Sequence, residues 1–382
     1  MKTFLTPLPA LLLITALTPA CDPTPPGRAL DEDERGSAAF CVEPGSAAAE
    51  GMLALVNDEA VSLELLDAAA ASGGVGLYRN AAIGIADARP FTSIEQLDAV
   101  PYVGRAACEA LAKYACNEAG RCRAPVSMMS WNIEHFPMTE DTQAAVVELV
   151  EELRPDVIGV QEIQNRDAFW DMVDQLDGYE GIVGQRGYFT RVGMLVRSDV
   201  VEVLETEDLF VDDAYTFPRS VLAARLRLRE ALRPTTLDFA VVHLKAFGDA
   251  ESVQRRRSAV EQLRGWVDER RSAGEGEVVI VGDWNDRLTD DEDDNVFLPL
   301  SEDAAEAEFV TLELAEAGDS SYVPFPSLID HILVTDEVFE GMTYQTTEVL
   351  RLDETWSSTY EKVVSDHRPV RASFELAVGW AP

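Results

Sequence analysis

The chain carries only four histidines, His135, His243, His331 and His367, and each lies within or beside a strand-like run: SWNIEHF, AVVHLKAF, LIDHILV and VVSDHRPV. Imidazole is the side chain best suited to give or take a proton near neutral pH. Polar residues interrupt the same apolar runs: Asn132 in SWNIEHF, Glu162 in DVIGVQEI, Asp283 and Asn285 in VIVGDWND, Asp330 in LIDHIL, and the adjacent Asp366 and His367 in VVSDHRPV. One such histidine alone would be read as a core residue satisfied by backbone bonds. Acids, amides and imidazoles recurring at the ends of buried strands point instead to hard-cation chemistry. Oxygen ligands suit Mg²⁺, with Mn²⁺ or Ca²⁺ as alternatives, and Mg²⁺ takes one or two carboxylates while leaving room for a substrate phosphate.

Such side chains need a rigid frame, and the second part of the sequence supplies one. From Val126 onward strands and helices alternate. VSMMSWN, DVIGVQE, VGMLVR, VLAARLRL, LDFAVVHL, EVVIVGDW, LIDHILV and VRASFELA read as strands. Thr139 to Leu153, Asp167 to Leu176 and Glu251 to Arg271 carry the apolar periodicity of helices. Strand neighbours joined directly alternate with helix crossovers, so an α/β fold with mixed sheets is expected.

The front of the chain is organised differently. Residues 1–21, MKTFLTPLPALLLITALTPAC, have a basic start, an apolar centre and a small-residue end, the layout of an export signal. Its close, LTPAC, resembles a bacterial lipoprotein box, although Thr18 stands where that pattern prefers Leu. The resemblance implies lipidation of Cys21 and a membrane anchor in the cell envelope. Plain secretion is the alternative. Residues 22–45, rich in Pro, Gly, Ser and acids, read as a flexible tether. Residues 46–118 show helical periodicity broken at SGGVG and PYVG, and residues 119–125 read as a linker to a domain over 126–378. Of five cysteines, setting Cys21 aside leaves Cys41, Cys108, Cys116 and Cys122, enough for two disulfides in any of three pairings.

The formal net charge is -38 over 382 residues. A chain so acidic repels polyanions at long range, which counts against a simple electrostatic DNA binder and suggests a need for cations, bound at specific sites or as screening salt. Arg255, Arg256 and Arg257 form a basic run that could face phosphates or simply open a solvated helix. The run DDEDD, Asp290 to Asp294, lacks the spacing of an EF-hand and reads as a charged loop.

Taken in order, the strand-end motifs over about Val126 to Ala377 resemble the endonuclease/exonuclease/phosphatase superfamily, typified by deoxyribonuclease I. The resemblance implies a four-layer sandwich: two mostly antiparallel, mixed β-sheets face each other, with helices outside. It implies metal-dependent hydrolysis of phosphate esters. By position, Asn132, Glu162 and Asp366 would serve the metal. Asp283 and Asn285, in a GDxN motif, would contact metal and scissile phosphate. His367 would act as general base or acid oriented by Asp330, His243 would serve the leaving side, and Arg219 in TFPRSV would contact phosphate. A metal neutralises charge on the anionic ester while histidines move protons, so these types suit the reaction. The endonuclease branch pairs the second His with a Glu, and no equivalent is evident between Gln185 and Ser198. Trp284 replaces the usual Phe of GDFN, and His135 and His331 match no required position.

ARPFTSIEQLDAVPYVGRAACEAL resembles the helix-hairpin-helix modules of competence-type DNA receptors. This resemblance implies an all-α domain offering hairpin N–H groups to DNA phosphates, with Gly104 in the second hairpin and Gly74 to Gly76 in a degenerate first one. DNA hydrolysis is the function expected. A phospholipid or sphingolipid phosphodiesterase, a sugar-phosphate phosphatase, and an inactive binding or docking module are the alternatives.

Overall fold

The computed structural model describes residues 41–301 and 305–381. The export signal, Cys21 and the tether up to residue 40 lie outside the described residues. Among the described residues no helix is long and apolar enough to cross a membrane.

Five helices come first. Helix α1 (Ala47–Asn57) begins at Ser46, whose side chain accepts from the Ala49 N–H. Helices α2 (Leu63–Asp67) and α3 (Arg79–Ala88) form one helix–turn–helix unit, and α4 (Ile94–Asp98) and α5 (Arg105–Lys113) a second. Leu66, Ile85, Leu97 and Leu111, spaced along these helices, are fully buried. Disulfides join Cys41 to Cys108 and Cys116 to Cys122. Residues 41–45 therefore belong to the folded body rather than to the tether, because Cys41 is bonded into it. The expected linker is also shorter: its last three residues already belong to β1 (Arg123–Phe136), where Arg123 pairs with Ala377. Asn117 and the backbone of Trp380 exchange two hydrogen bonds, and the helical core is continuous with that of the following domain.

Among the described residues the rest contains twelve strands in two six-stranded sheets. After β1 come α6 (Thr142–Leu153), β2 (Val157–Ile163), α7 (Arg166–Val173), β3 (Tyr179–Val183), β4 (Arg191–Arg197), β5 (Val201–Leu209), β6 (Val221–Leu228) and β7 (Thr235–His243). Then follow α8 (Ala250–Ser272), β8 (Val278–Asp283), β9 (Ala307–Phe309), β10 (Asp330–Thr335), β11 (Met342–Val349) and β12 (Val370–Ala377), with short helical turns between the later strands. One sheet runs β11-β12-β1-β2-β4-β3 and the other β5-β6-β7-β8-β10-β9. Only β1–β2 and β7–β8 are parallel, each joined by one long helix, α6 or α8. The sheets are thus mixed and mostly antiparallel, as expected.

The inner faces meet closely. A Cβ on Gly159 of β2 would lie 2.4 Å from Val281 Cγ2 of the opposite sheet, so the approach at that point requires glycine. Met128, Met194, Phe239, Val241 and Phe374 fill the space between the sheets. Outside, α6 and α7 cover one sheet through Val146, Leu149, Phe169 and Met172, and α8 covers the other through Ala259, Val260, Leu263 and Val267. The result is four layers, helix–sheet–sheet–helix.

Candidate active site

Both parallel strand pairs end at the same edge of the sandwich, and the polar residues gather there. Ligands commonly bind outside the carboxyl ends of parallel strands. His243 of β7, Asp283 of β8 and Asp330 of β10 are register partners across three adjacent strands. Gly282, beside Asp283 in β8, permits the close approach to β7: its φ is 157°, and a Cβ would lie 2.1 Å from the Val242 carbonyl oxygen. Asn132 of β1 faces this group from the other sheet, and its amide donates to Asp283 Oδ2 at 3.1 Å. A register shift between Asn132 and Phe136 leaves Glu134 and His135 in left-handed backbone within β1, with φ of 26° and 45°. Glu162, at 67°, and Asn285, at 55°, are also left-handed. Non-glycine residues held in that region are concentrated where function fixes them.

VVSDHRPV is not a strand. Asp366 and His367 lie in the loop before β12, because Pro369 and the Ser365 hydroxyl shape a turn: Ser365 Oγ donates to the Asn132 carbonyl and accepts from the His367 N–H. Behind it, Trp131 Nε1 donates to the Tyr360 hydroxyl, which donates to the His367 carbonyl oxygen at 2.5 Å. His367 Nδ1 meets Asp330 Oδ2 at 2.8 Å. Its Nε2 faces Asp366 Oδ1 at 3.7 Å and Asp283 Oδ2 at 3.9 Å. Burial alone would lower this imidazole, but Asp330 and then Asp283 and Asp366 override it and push it up to about 10.

His243 behaves oppositely. Burial, then the positive charge of Arg219, holds its ring well below the usual range, so it is neutral. Its Nε2 stands 3.4 Å from Asp283 Oδ2 and 3.8 Å from Glu162 Oε1. Its buried Nδ1 has no hydrogen-bond partner among the described residues, which agrees with the missing glutamate noted in the sequence. Asp283 thus lies between the two imidazoles, and burial pushes its carboxyl up to about 7. Asn285 Nδ2 reaches the Leu244 carbonyl at 3.4 Å, tying the turn after β8 to β7. Half-buried Arg219 donates to Thr190 Oγ1 at 3.2 Å, and burial lowers its guanidinium while Glu162 and Asp283 oppose that.

The oxygen-rich corner is formed by Glu162, Asp366 and a residue that the sequence reading passed over, Glu134. Glu134 Oε2 accepts from the Asp366 N–H at 2.9 Å. Burial, then the neighbouring Asp366, raises the Glu134 carboxyl; burial raises Asp366 as well, with Glu162 adding to it. Carboxylates crowded so that each pushes another up are a donor set that a hard divalent cation relieves. The signal for Glu134 was present: it lies two residues beyond Asn132. Asp283, Asp330 and His367 also lie close enough to hold an ion, although Asp330 Oδ2 is already engaged by the His367 ring.

His331 is structural, as expected. Its Nε2 donates to the Asp286 carbonyl at 3.0 Å, its Nδ1 accepts from Thr311 Oγ1 at 3.2 Å, and Phe297 and Phe309 meet it edge-on. His135 departs from expectation, since its Nδ1 lies 3.3 Å from Glu162 Oε2 and its N–H donates to the same atom. Arg256 is buried and faces no solvent phosphate: it pairs with Asp286 and donates to the carbonyls of Lys245 and Phe247. Asp290 of the DDEDD loop pairs with Arg287. Gly104 is the residue before α5, remote in sequence from these groups, and no side chain caps that helix.

Residues 129–367 match the sequence pattern of the Endonuclease/Exonuclease/phosphatase family. The chain belongs to that family. No curated protein sequence matches it significantly. Among solved structures, an endonuclease/exonuclease/phosphatase family protein from Bacteroides thetaiotaomicron is similar at 15% identity, over 66% of this chain and 98% of that one, with a TM-score of 0.51. A mannosyl-6-phosphatase of the same organism is similar at 16% identity over 65% and 99% of the two chains, with a TM-score of 0.51. The human Nocturnin catalytic domain with bound sulfate is similar at 15% identity over 65% and 94%, again with a TM-score of 0.51. At such identities the likeness shows the shared sandwich. Members of the endonuclease/exonuclease/phosphatase family hydrolyse phosphate esters, typically with divalent metal ions, and this chain carries the fold and an acidic, imidazole-flanked site for that class of reaction.

Proposed function

We propose that the protein is a divalent-cation-dependent phosphodiesterase that cleaves nucleic acid, with DNA as its substrate. The observation that carries this reading is the placement of Asp283 between two imidazoles of opposite character, His243 and His367, with Arg219 and the Glu134–Glu162–Asp366 corner beside them. Glu162 and Asp366, with Glu134 and Asn132 beside them, would hold Mg²⁺. A cation there neutralises negative charge on the ester.

The chain's own groups divide the remaining work. Arg219 binds and orients the phosphate. His367 has carboxylates facing both ring nitrogens and rests as an imidazolium, so of the two roles expected from sequence it takes that of anion partner and proton donor. The proton acceptor for the attacking water is then Asp283. Neutral His243 supports the opposite side of the phosphate. Asp330 fixes the His367 ring through Nδ1.

The two helix–turn–helix units favour nucleic acid over a small phosphate ester. Both α3 and α5 start without a side-chain cap, leaving N–H groups for phosphates. Export followed by anchoring at Cys21 completes the proposal, and two disulfides suit an oxidising compartment. Incubating the purified protein with plasmid DNA, RNA and sphingomyelin, in Mg²⁺ or EDTA, tests the reading. Mg²⁺-dependent DNA cleavage is expected; hydrolysis of the lipid alone would overturn it.

A further inference from the structure

Large aromatic side chains are exposed around the candidate site to an extent that a buried catalytic centre does not require. Tyr188 is 84% exposed, Phe189 72%, Tyr215 59%, Phe247 75% and Phe325 68%. Among the described residues seven aromatic side chains are that open, and these five stand on loops that carry or adjoin site residues. Tyr188 and Phe189 form an edge-on pair at 4.3 Å in the loop bonded to Arg219, since Gly187 pairs with Arg219 and Thr190 accepts from its guanidinium. Tyr215 is four residues before Arg219. Phe247 lies four residues after His243 and shares a cavity of about 610 Å³ with Asn285. Phe325 stacks on Tyr322 at 6.1 Å, and Tyr322 lies against His367 at 5.1 Å.

These rings are built into place. Phe247 has a φ of 81°, and Arg256 grips its carbonyl from below. Two rings also carry a cation: Lys245 Nζ sits 4.4 Å above Phe247, and the Arg255 guanidinium 4.6 Å above Tyr215. On a chain of net charge -38, cations reserved for aromatic faces at the mouth of a phosphate-ester site are a specific arrangement.

Resting on the phosphodiesterase reading above, we propose that this rim is a set of stacking platforms for unpaired bases, so that the substrate is a single-stranded segment of nucleic acid. Bases have two apolar faces, and in a duplex both are covered by neighbouring pairs; only an unpaired strand can lay them on protein rings. Aromatic stacking with interleaved cations holds single strands with little sequence preference. A lipid bilayer fits less well. The rings are spread over four loops rather than gathered on one tip, and a choline headgroup would meet Lys245 and Arg255 where it sought an aromatic face.

The test compares steady-state kinetics of the wild-type protein, Phe247→Ala, and the double variant Tyr188→Ala/Phe189→Ala. The substrates are a single-stranded oligodeoxynucleotide, the same sequence as duplex, and bis(p-nitrophenyl) phosphate, which has no base. The expected result is a preference of the wild type for the single strand and a rise in its KM of about ten-fold in each variant. The kcat and the rate on the base-free ester should be unchanged, and Phe247→Trp should restore KM. Unaltered KM for the single strand in both variants would overturn the proposal. So would lost sedimentation with sphingomyelin–phosphatidylcholine vesicles at unaltered oligonucleotide KM, which would make the rim a membrane surface. A wild type that hydrolyses the base-free ester but neither oligonucleotide would overturn the nucleic-acid reading itself, and the rim proposal with it.

Discussion

His367 Nδ1 lies 2.8 Å from Asp330 Oδ2 across a separation of 37 residues, inside a fully buried pocket. The loop before β12 and the first residue of β10 meet there because Ser321 and Ser365 hydroxyls hold the two backbones: Ser321 accepts from the Asp330 N–H, and Ser365 from the His367 N–H. Asp330→Asn keeps the shape and removes the charge. Turnover should fall by about one to two decades, the usual scale for losing a group that supports proton transfer. His367 should titrate well below about 10 in NMR, because Asp330 is the main group holding it up. An unmoved titration would show that Asp330 does not set the charge of the ring.

Glu162→Gln should act on the cation and not on proton transfer. Glu162 stands in the crowded acidic corner with Glu134 and Asp366. The Mg²⁺ concentration for half-maximal rate should rise by about ten-fold or more. The rise in melting temperature that Mg²⁺ gives the wild type by binding the folded state should shrink. Differential scanning fluorimetry across a Mg²⁺ series checks this, and an unchanged Mg²⁺ response would remove Glu162 from the metal site.

How far the site could be read from sequence depended on strand burial. Asn132, Glu162, His243 and Asp283 were visible because each ends a run of buried apolar residues, as in VVIVGD, buried at every position. Glu134 stands two residues beyond Asn132 in the same strand, but its place in the acidic corner depends on the register shift and its left-handed backbone, which the sequence does not show. Tyr322 gave no signal, since it lies in an irregular loop. The edge strands β5 and β11 were missed for a related reason. VEVLETEDL is exposed over Leu204 to Glu207, and MTYQTTEV alternates weakly, so neither shows an apolar run. VVSDHRPV reads as a strand from its valines, yet Pro369 and the Ser365 hydroxyl make it a turn.

Gly104→Asp separates binding from folding in the helical domain. Gly104 has a φ of -111° as the residue before α5, and a Cβ there would meet nothing within 4 Å. Asp is a better cap than Gly, so stability should hold or rise by a few tenths of a kcal/mol. DNA affinity at low salt should fall about five-fold, from roughly 1 kcal/mol of repulsion between like charges in water. Fluorescence anisotropy checks it; undiminished affinity would assign the hairpin a structural role.

His331 should make the fold sensitive to acid. Burial pushes its ring down to about 4, so the folded protein keeps it neutral while the unfolded chain takes up a proton near pH 6.5. Its contribution is therefore fully present above about pH 6.5. It is lost as the pH falls towards about 4, by about 3 kcal/mol in all. Asp156 and Asp238, whose carboxyls burial raises, act in the opposite direction, so total stability alone does not isolate the ring. Urea unfolding of wild type and His331→Gln at pH 7.5 and 5 should show the smaller loss in the variant, and an NMR titration of His331 with a midpoint near 6.5 would refute the assignment.

In the proposed reaction, His367 and its partners perform cation-dependent phosphodiester hydrolysis. The most direct test is the Mg²⁺-dependent rate on an oligodeoxynucleotide, whose alkoxide leaving group needs a proton, for wild type and His367→Ala at saturating Mg²⁺. A loss of about two decades or more is expected, with the Mg²⁺ requirement little changed and a lower melting temperature, because Asp330 loses its buried partner. A variant that retains near-wild-type Mg²⁺-dependent hydrolysis would contradict it.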